Sequence, residues 1–105
     1  MAVLSVTSLQ VKPDQWEGFM DTQRRSKAVL ERCGATDVRL IVGMIAGEAS
    51  GTVVQTFEAP DHATAGAILD KFLADPEGLA LMGESNSTGG ATAGWQSSLW
   101  TEIEL

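Results

Sequence analysis

The chain has 105 residues, 44% of them hydrophobic, a formal net charge of −7, one cysteine and one histidine. This is the length of one domain, residues 1–105, and its acidity argues against nucleic acid and anionic membrane surfaces as partners, because both repel it. A single cysteine rules out an intrachain disulfide and a single histidine a multi-histidine metal site; no apolar run nears the ~20 residues that span a bilayer, and a reducing cytoplasm is the expected location.

Residues 2–11 alternate as a strand, with Val3, Ser5, Thr7, Leu9 and Val11 on one face and Ala2, Leu4 and Val6 on the other. With no basic segment before it, this start reads as a strand and not as a signal peptide. Lys12-Pro13-Asp14 ends the alternation, and Asp14 with Glu17 three residues on suggests a capping box opening a helix over 14–33. Gly34 suits the left-handed residue that ends it. Residues 37–46 and 52–59 read as a strand pair around a turn at 47–51. Asp61 is the expected N-cap of a helical stretch over 61–82, restarted at Asp75-Pro76-Glu77. Residues 83–94 are small and polar and read as a long flexible loop at a pocket mouth, and 95–105 as the last strand.

The order βαββαβ predicts an α+β, ferredoxin-like antiparallel sheet, strand order 4-1-3-2, with helices on one face. Leu4, Val6, Ile41, Ile45 and Val54 would then leave an apolar patch on the other, which predicts a homodimer. Trp100, on the more polar face of the last strand, is the expected interface anchor.

The element order, the size and the segment Asp75-Pro76-Glu77-Gly78-Leu79-Ala80-Leu81-Met82 after the second helix resemble the dimeric α+β barrel superfamily. That group includes antibiotic-biosynthesis-monooxygenase-like, stress-responsive barrel and NIPSNAP-like proteins. The resemblance covers nearly the whole chain. It implies a homodimer with facing sheets and, in each subunit, a pocket between sheet and helices. The superfamily's haem-degrading branch uses an Asn on the first strand, a Trp on the third and a His on the second helix. Here those regions offer Ser5 or Thr7, Phe57 and His62, a poor fit. Its cofactor-independent quinone-forming monooxygenases use Asn, Trp and Thr or His. Trp16, Trp95 and Thr7 permit that, but Asn86, the only Asn, falls in the 83–94 segment.

On the first helix, Gln23 and Lys27 fall within the stripe of Trp16, Phe19, Met20 and Leu30. Aimed at the sheet they would need partners, which Ser5 and Thr7 can supply. The expected ligand pocket is Ser5, Thr7, Trp16, Gln23, Lys27 and Trp95, with Lys27 on a carboxylate or enolate-like oxygen and Gln23 orienting the ligand. Alternatively Lys27 snorkels to the helix edge and Gln23 bonds locally. His62 is expected at an exposed helix start, and Cys33, at the end of the first helix with no base beside it, as a packed, inert thiol. No cofactor and no metal is expected. Two functions fit: a small-molecule binder or cofactor-independent monooxygenase-like enzyme for a small apolar or aromatic metabolite, or a non-catalytic dimeric interaction or stress-response module.

Overall fold

The computed structural model describes residues 2–12, 14–44, 52–86, 92–103 and 105, with 85, 86 and 92–95 described by backbone alone. The elements are β1 (Val3–Val11), α1 (Trp16–Arg32), β2 (Thr36–Val42), β3 (Val53–Ala59), α2 (His62–Ala74), α3 (Pro76–Asn86) and β4 (Thr92–Thr101). The four strands pair antiparallel in the order β2-β3-β1-β4, the ferredoxin-like order expected. The expected turn at 47–51 lies outside the described residues, apart from the strand ends that flank it.

The register assigns each side chain to a face. Val3, Ser5, Thr7 and Leu9 lie opposite Ala59, Phe57, Gln55 and Val53 of β3 and Thr101, Leu99, Ser97 and Trp95 of β4. This is the helix-covered face, and Val3, Ser5, Leu9, Val53, Phe57 and Ala59 are all buried. Leu4, Val6 and Ser8 point the other way, beside Val54, Thr56, Ser98 and Trp100.

Chain chemistry explains the helix boundaries. The Gly34 N–H donates to Glu31 O and the Ala35 N–H to Leu30 O, with Gly34 at φ 107°, so α1 ends in a Schellman motif. Asp61 caps α2, its Oδ1 accepting from the Thr64 N–H at 2.7 Å. Asp75 Oδ1 accepts from the Glu77 and Gly78 N–H groups and opens α3, with Pro76 as its first residue.

Several boundaries differ from expectation, among them the end of β2, which stops at Val42 and not at 46. The capping box at Asp14 does not form: Gln15 is the N-cap, with no side-chain bond. Asp14 sits instead at φ 63° in a tight turn closed by the Gln15 N–H on Lys12 O, a left-handed position that Asp tolerates. The 83–94 segment is not one loop. Residues 83–86 complete α3, and 92–94 extend β4 to pair with the far end of β1, leaving 87–91 outside the described residues. β4 also stops at Thr101, short of 105, because Thr101 pairs with Val3, where β1 begins.

The core has two parts. Val3, Val29, Leu30, Cys33, Ala35, Phe57, Ala59, Ala65, Ile68, Phe72 and Leu81 form the larger. Leu9, Phe19 and Val53 form the smaller. α3 is fastened to α1 by Arg32 on Asp75 at 2.8 Å and by Arg25 on Glu84 at 2.7 Å. No described helix is long and apolar enough to cross a membrane.

Candidate functional site

A cavity of about 250 Å³ opens between the helices and the sheet. Leu30 of α1, Leu69, Phe72 and Leu73 of α2, and Leu81 and Met82 of α3 make its apolar roof and walls. Leu9, Phe57 and three polar residues, Thr7, Gln55 and Ser97, make its floor, and Gln23 and Ser26 of α1 face them. Leu9 belongs to the smaller core cluster and Leu30, Phe57, Phe72 and Leu81 to the larger, so the cavity lies where the core divides.

The polar groups are arranged in pairs. Gln55 Nε2 donates to Gln23 Oε1 at 2.8 Å, and Thr7 Oγ1 and Ser97 Oγ are 2.7 Å apart. One amide–amide bond leaves the other half of each amide, one NH₂ and one carbonyl oxygen, available to a ligand. None of the described lining residues is titratable. The site therefore offers neutral donors and acceptors in an apolar shell and no proton-transfer group. It suits an uncharged ligand bearing a carbonyl or hydroxyl, and a charged group would enter without a counter-charge.

A second cleft, of about 160 Å³, lies between α1 and β2 and is lined by Met20, Gln23, Arg24, Lys27, Val38, Arg39, Leu40 and Gln55. Gln23 and Gln55 line both spaces, so their hydrogen bond is the shared wall.

The expected pocket residues separate. Thr7 and Gln23 line the main cavity. Ser5 is buried on the same sheet face but is not part of the lining. Lys27 is exposed and lines only the second cleft, which corrects its placement beside Ser5 and Thr7. Trp16 is also outside the cavity: it is about half exposed (48%) and stacks on Phe19 with ring centroids 5.8 Å apart. The backbone of Trp95 pairs with Leu9, and its side chain is outside the described part of the structure. Trp100 is exposed on the uncovered sheet face, its Nε1–H donating to Ser98 Oγ at 2.8 Å.

The reason for the shift on α1 is a small rotation. The buried residues are Phe19, Thr22, Gln23, Ser26, Val29 and Leu30. The stripe through Trp16, Phe19, Met20 and Leu30 is centred about 60° around the helix from that buried face, which keeps Gln23 at its edge and leaves Lys27 outside it. Ser26, Gln55 and Ser97 were outside the sequence expectation. Ser26 and Thr22 share a face with Val29 and Cys33, a spacing that marks them as inward-facing small residues. Of the other candidates, His62 is exposed, with Nε2 3.4 Å from Thr101 Oγ1, and Cys33 is buried in the larger core cluster. Among the described residues no three His, Cys, Asp or Glu side chains gather as a metal site would require.

No family model and no curated protein matches the chain. Solved structures do match its fold. A NIPSNAP family protein from Agrobacterium tumefaciens superposes with a TM-score of 0.78 at 8% identity, over 99% of this chain and 95% of that one. An antibiotic biosynthesis monooxygenase gives 0.70 at 13% identity, over 97% and 99%. SnoaB, a cofactor-independent oxygenase from Streptomyces nogalater, gives 0.65 at 18% identity, over 99% and 95%. The chain has the fold of the α+β barrel superfamily to which these neighbours belong. At such identities the likeness concerns the fold and carries no activity with it.

Proposed function

We propose that this protein is a small-molecule-binding homodimer whose ligand is a small, mainly apolar or aromatic metabolite with one oxygen function. The observation that carries this reading is the cavity: about 250 Å³, apolar-walled, with the Gln23–Gln55 and Thr7–Ser97 pairs at its polar end. A dry cavity of about 150 Å³ holds benzene, so this one suits a body of roughly naphthalene size. The enzyme reading, an oxygenase like SnoaB, draws support from the fold alone. It would need a substrate acidic enough to ionise unaided, since the described lining holds no base.

The homodimer rests on the uncovered sheet face, where Leu4, Val6, Ile41, Val54 and Trp100 have no helix over them. A second copy of the same face would bury them, as in a two-sheet barrel.

Isothermal titration with naphthalenemethanol tests the binding reading. Saturable binding is expected for the natural chain, and weakened binding for Ser26→Leu, which intrudes into the cavity from α1. Absence of saturable binding, or binding that Ser26→Leu leaves intact, would overturn it.

A further inference from the structure

The chain carries 14 acidic and 7 basic side chains, yet three of the seven basic residues, Arg24, Lys27 and Arg39, line the cleft between α1 and β2. Arg39 is held by Asp37, its Nε 2.8 Å from Oδ1. Among the described residues Arg24 and Lys27 take part in no ion pair. They are three apart on α1, so they share one side of the helix. An acidic chain has carboxylates in excess to neutralise its cations, so two unpaired cations beside a third, in one concavity, favour an anion there. Gln23 and Gln55, joined by their hydrogen bond, line both this cleft and the apolar cavity.

We propose that the α1–β2 cleft is an anion subsite, and that the ligand is an amphipathic carboxylic acid, its apolar or aromatic body in the main cavity and its carboxylate on Lys27 and Arg24. This rests on the cavity reading and names the ligand class more narrowly. The oxygen function crosses the amide wall, replacing the Gln55-to-Gln23 bond with bonds of its own: the Gln NH₂ groups donate to the carboxylate. Lys27 and Arg24 supply the counter-charge that the cavity lacks, in a partly exposed position where they need no burial. The main cavity alone would discriminate against an acid, and the cleft reverses that preference.

Titration with naphthoate and naphthalenemethanol, which share a ring system and differ in charge, is the test. In the natural chain at low salt naphthoate is expected to bind tighter by roughly tenfold or more, with salt eroding the difference. Lys27→Met and Arg24→Gln are each expected to reduce that acid-over-alcohol ratio severalfold. Lys71→Met, which removes an equal charge from α2, is the control and is expected to leave the ratio unchanged. Naphthalenemethanol binding with no preference for the acid would overturn the anion subsite and leave the cavity reading standing. An acid preference lost equally in Lys71→Met would also overturn it, because net charge would then be the cause. Binding of neither compound would overturn both.

Discussion

Gly78 sets the seat of α3 and so one wall of the cavity. It lies in the first turn of α3, its N–H donating to the Asp75 carboxylate. A Cβ placed on it would come 2.1 Å from the Phe72 carbonyl oxygen, 3.0 Å from that carbonyl carbon and 3.4 Å from Phe72 Cδ1. Ordinary carbon–oxygen contacts lie at about 3.3 Å or beyond, so Gly78→Ala must displace α3 from the end of α2 by roughly 1 Å. The obstacle is backbone, which no rotamer change can move aside. Overpacking of this kind costs about 1–3 kcal/mol, or a fall in melting temperature on the order of 10 °C for a domain this size. Gly83→Ala, also in α3, meets nothing within 4 Å and should instead stabilise by up to about 1 kcal/mol through helix propensity. Urea denaturation of both variants at one fixed protein concentration reads the contrast. Because Leu81 and Met82 ride on α3 into the cavity, naphthalenemethanol affinity should fall in Gly78→Ala and hold in Gly83→Ala. A Gly78→Ala midpoint equal to that of the natural chain would refute the close approach of α3 to α2.

Other consequences follow from single interactions. Gln23→Leu should destabilise by about 1–3 kcal/mol by stranding the Gln55 amide in the wall, and Gln55→Leu added to it should recover most of the loss; additive losses in that double-mutant cycle would mean that the two amides do not interact. Trp100→Ala should weaken self-association by about 2 kcal/mol or more, and an unchanged dissociation constant in sedimentation would remove Trp100 from the interface. The Arg32 guanidinium, then the Gly78 and Glu77 N–H groups, hold the Asp75 carboxyl below its ordinary value, so its contribution to stability is present above the usual carboxylate range and lost as pH falls through the lowered folded-state value. Asp75→Asn should flatten that part of the acid-denaturation curve, and an unaltered curve would show that the carboxylate carries none of it.

Much of the fold was legible because it is written in local chemistry. Alternation over 2–11 set the faces of β1, Gly34 ended α1, and Asp61 and Asp75-Pro76 opened the two later helices, each by satisfying particular backbone groups. The misplaced boundaries depend on partners far along the chain. β4 begins and ends where β1 provides hydrogen bonds, and α3 extends through Glu84, which Arg25 holds from another helix. The site was half legible for the same reason. Gln23 stood out as an amide within an apolar stripe. Its partner Gln55, 32 residues away, lies on a strand whose alternation makes it look like any half-buried polar residue. Lys27 was drawn into the same stripe because that stripe is centred about 60° from the buried face, an offset that brings in a side chain from the exposed edge of the helix.

The split core argues that the cavity was kept for a purpose. An enclosed, dry void of 250 Å³ would cost on the order of 6 kcal/mol at about 24 cal/mol per Å³, comparable to a whole domain's stability of about 5–15 kcal/mol. Partial opening to solvent reduces that cost but leaves Leu69, Phe72, Leu81 and Phe57, packed in or against the larger core cluster, with one side facing open space. A larger apolar side chain at Ser26 would take up part of the gap. The chain places a serine there, and sets two glutamines where two leucines would pack. Local choices that oppose core packing at one spot, in a chain whose caps and turns otherwise agree with its fold, are expected at functional or strained sites, which supports the proposed binding role. The same logic separates the two spaces beside α1. The main cavity is a gap in apolar packing with neutral polar groups at one end, and the cleft is a concentration of positive charge on an acidic molecule. Each departs from what folding alone would favour, and the departures meet at the Gln23–Gln55 bond, where a ligand with an apolar body and an anionic end would satisfy both.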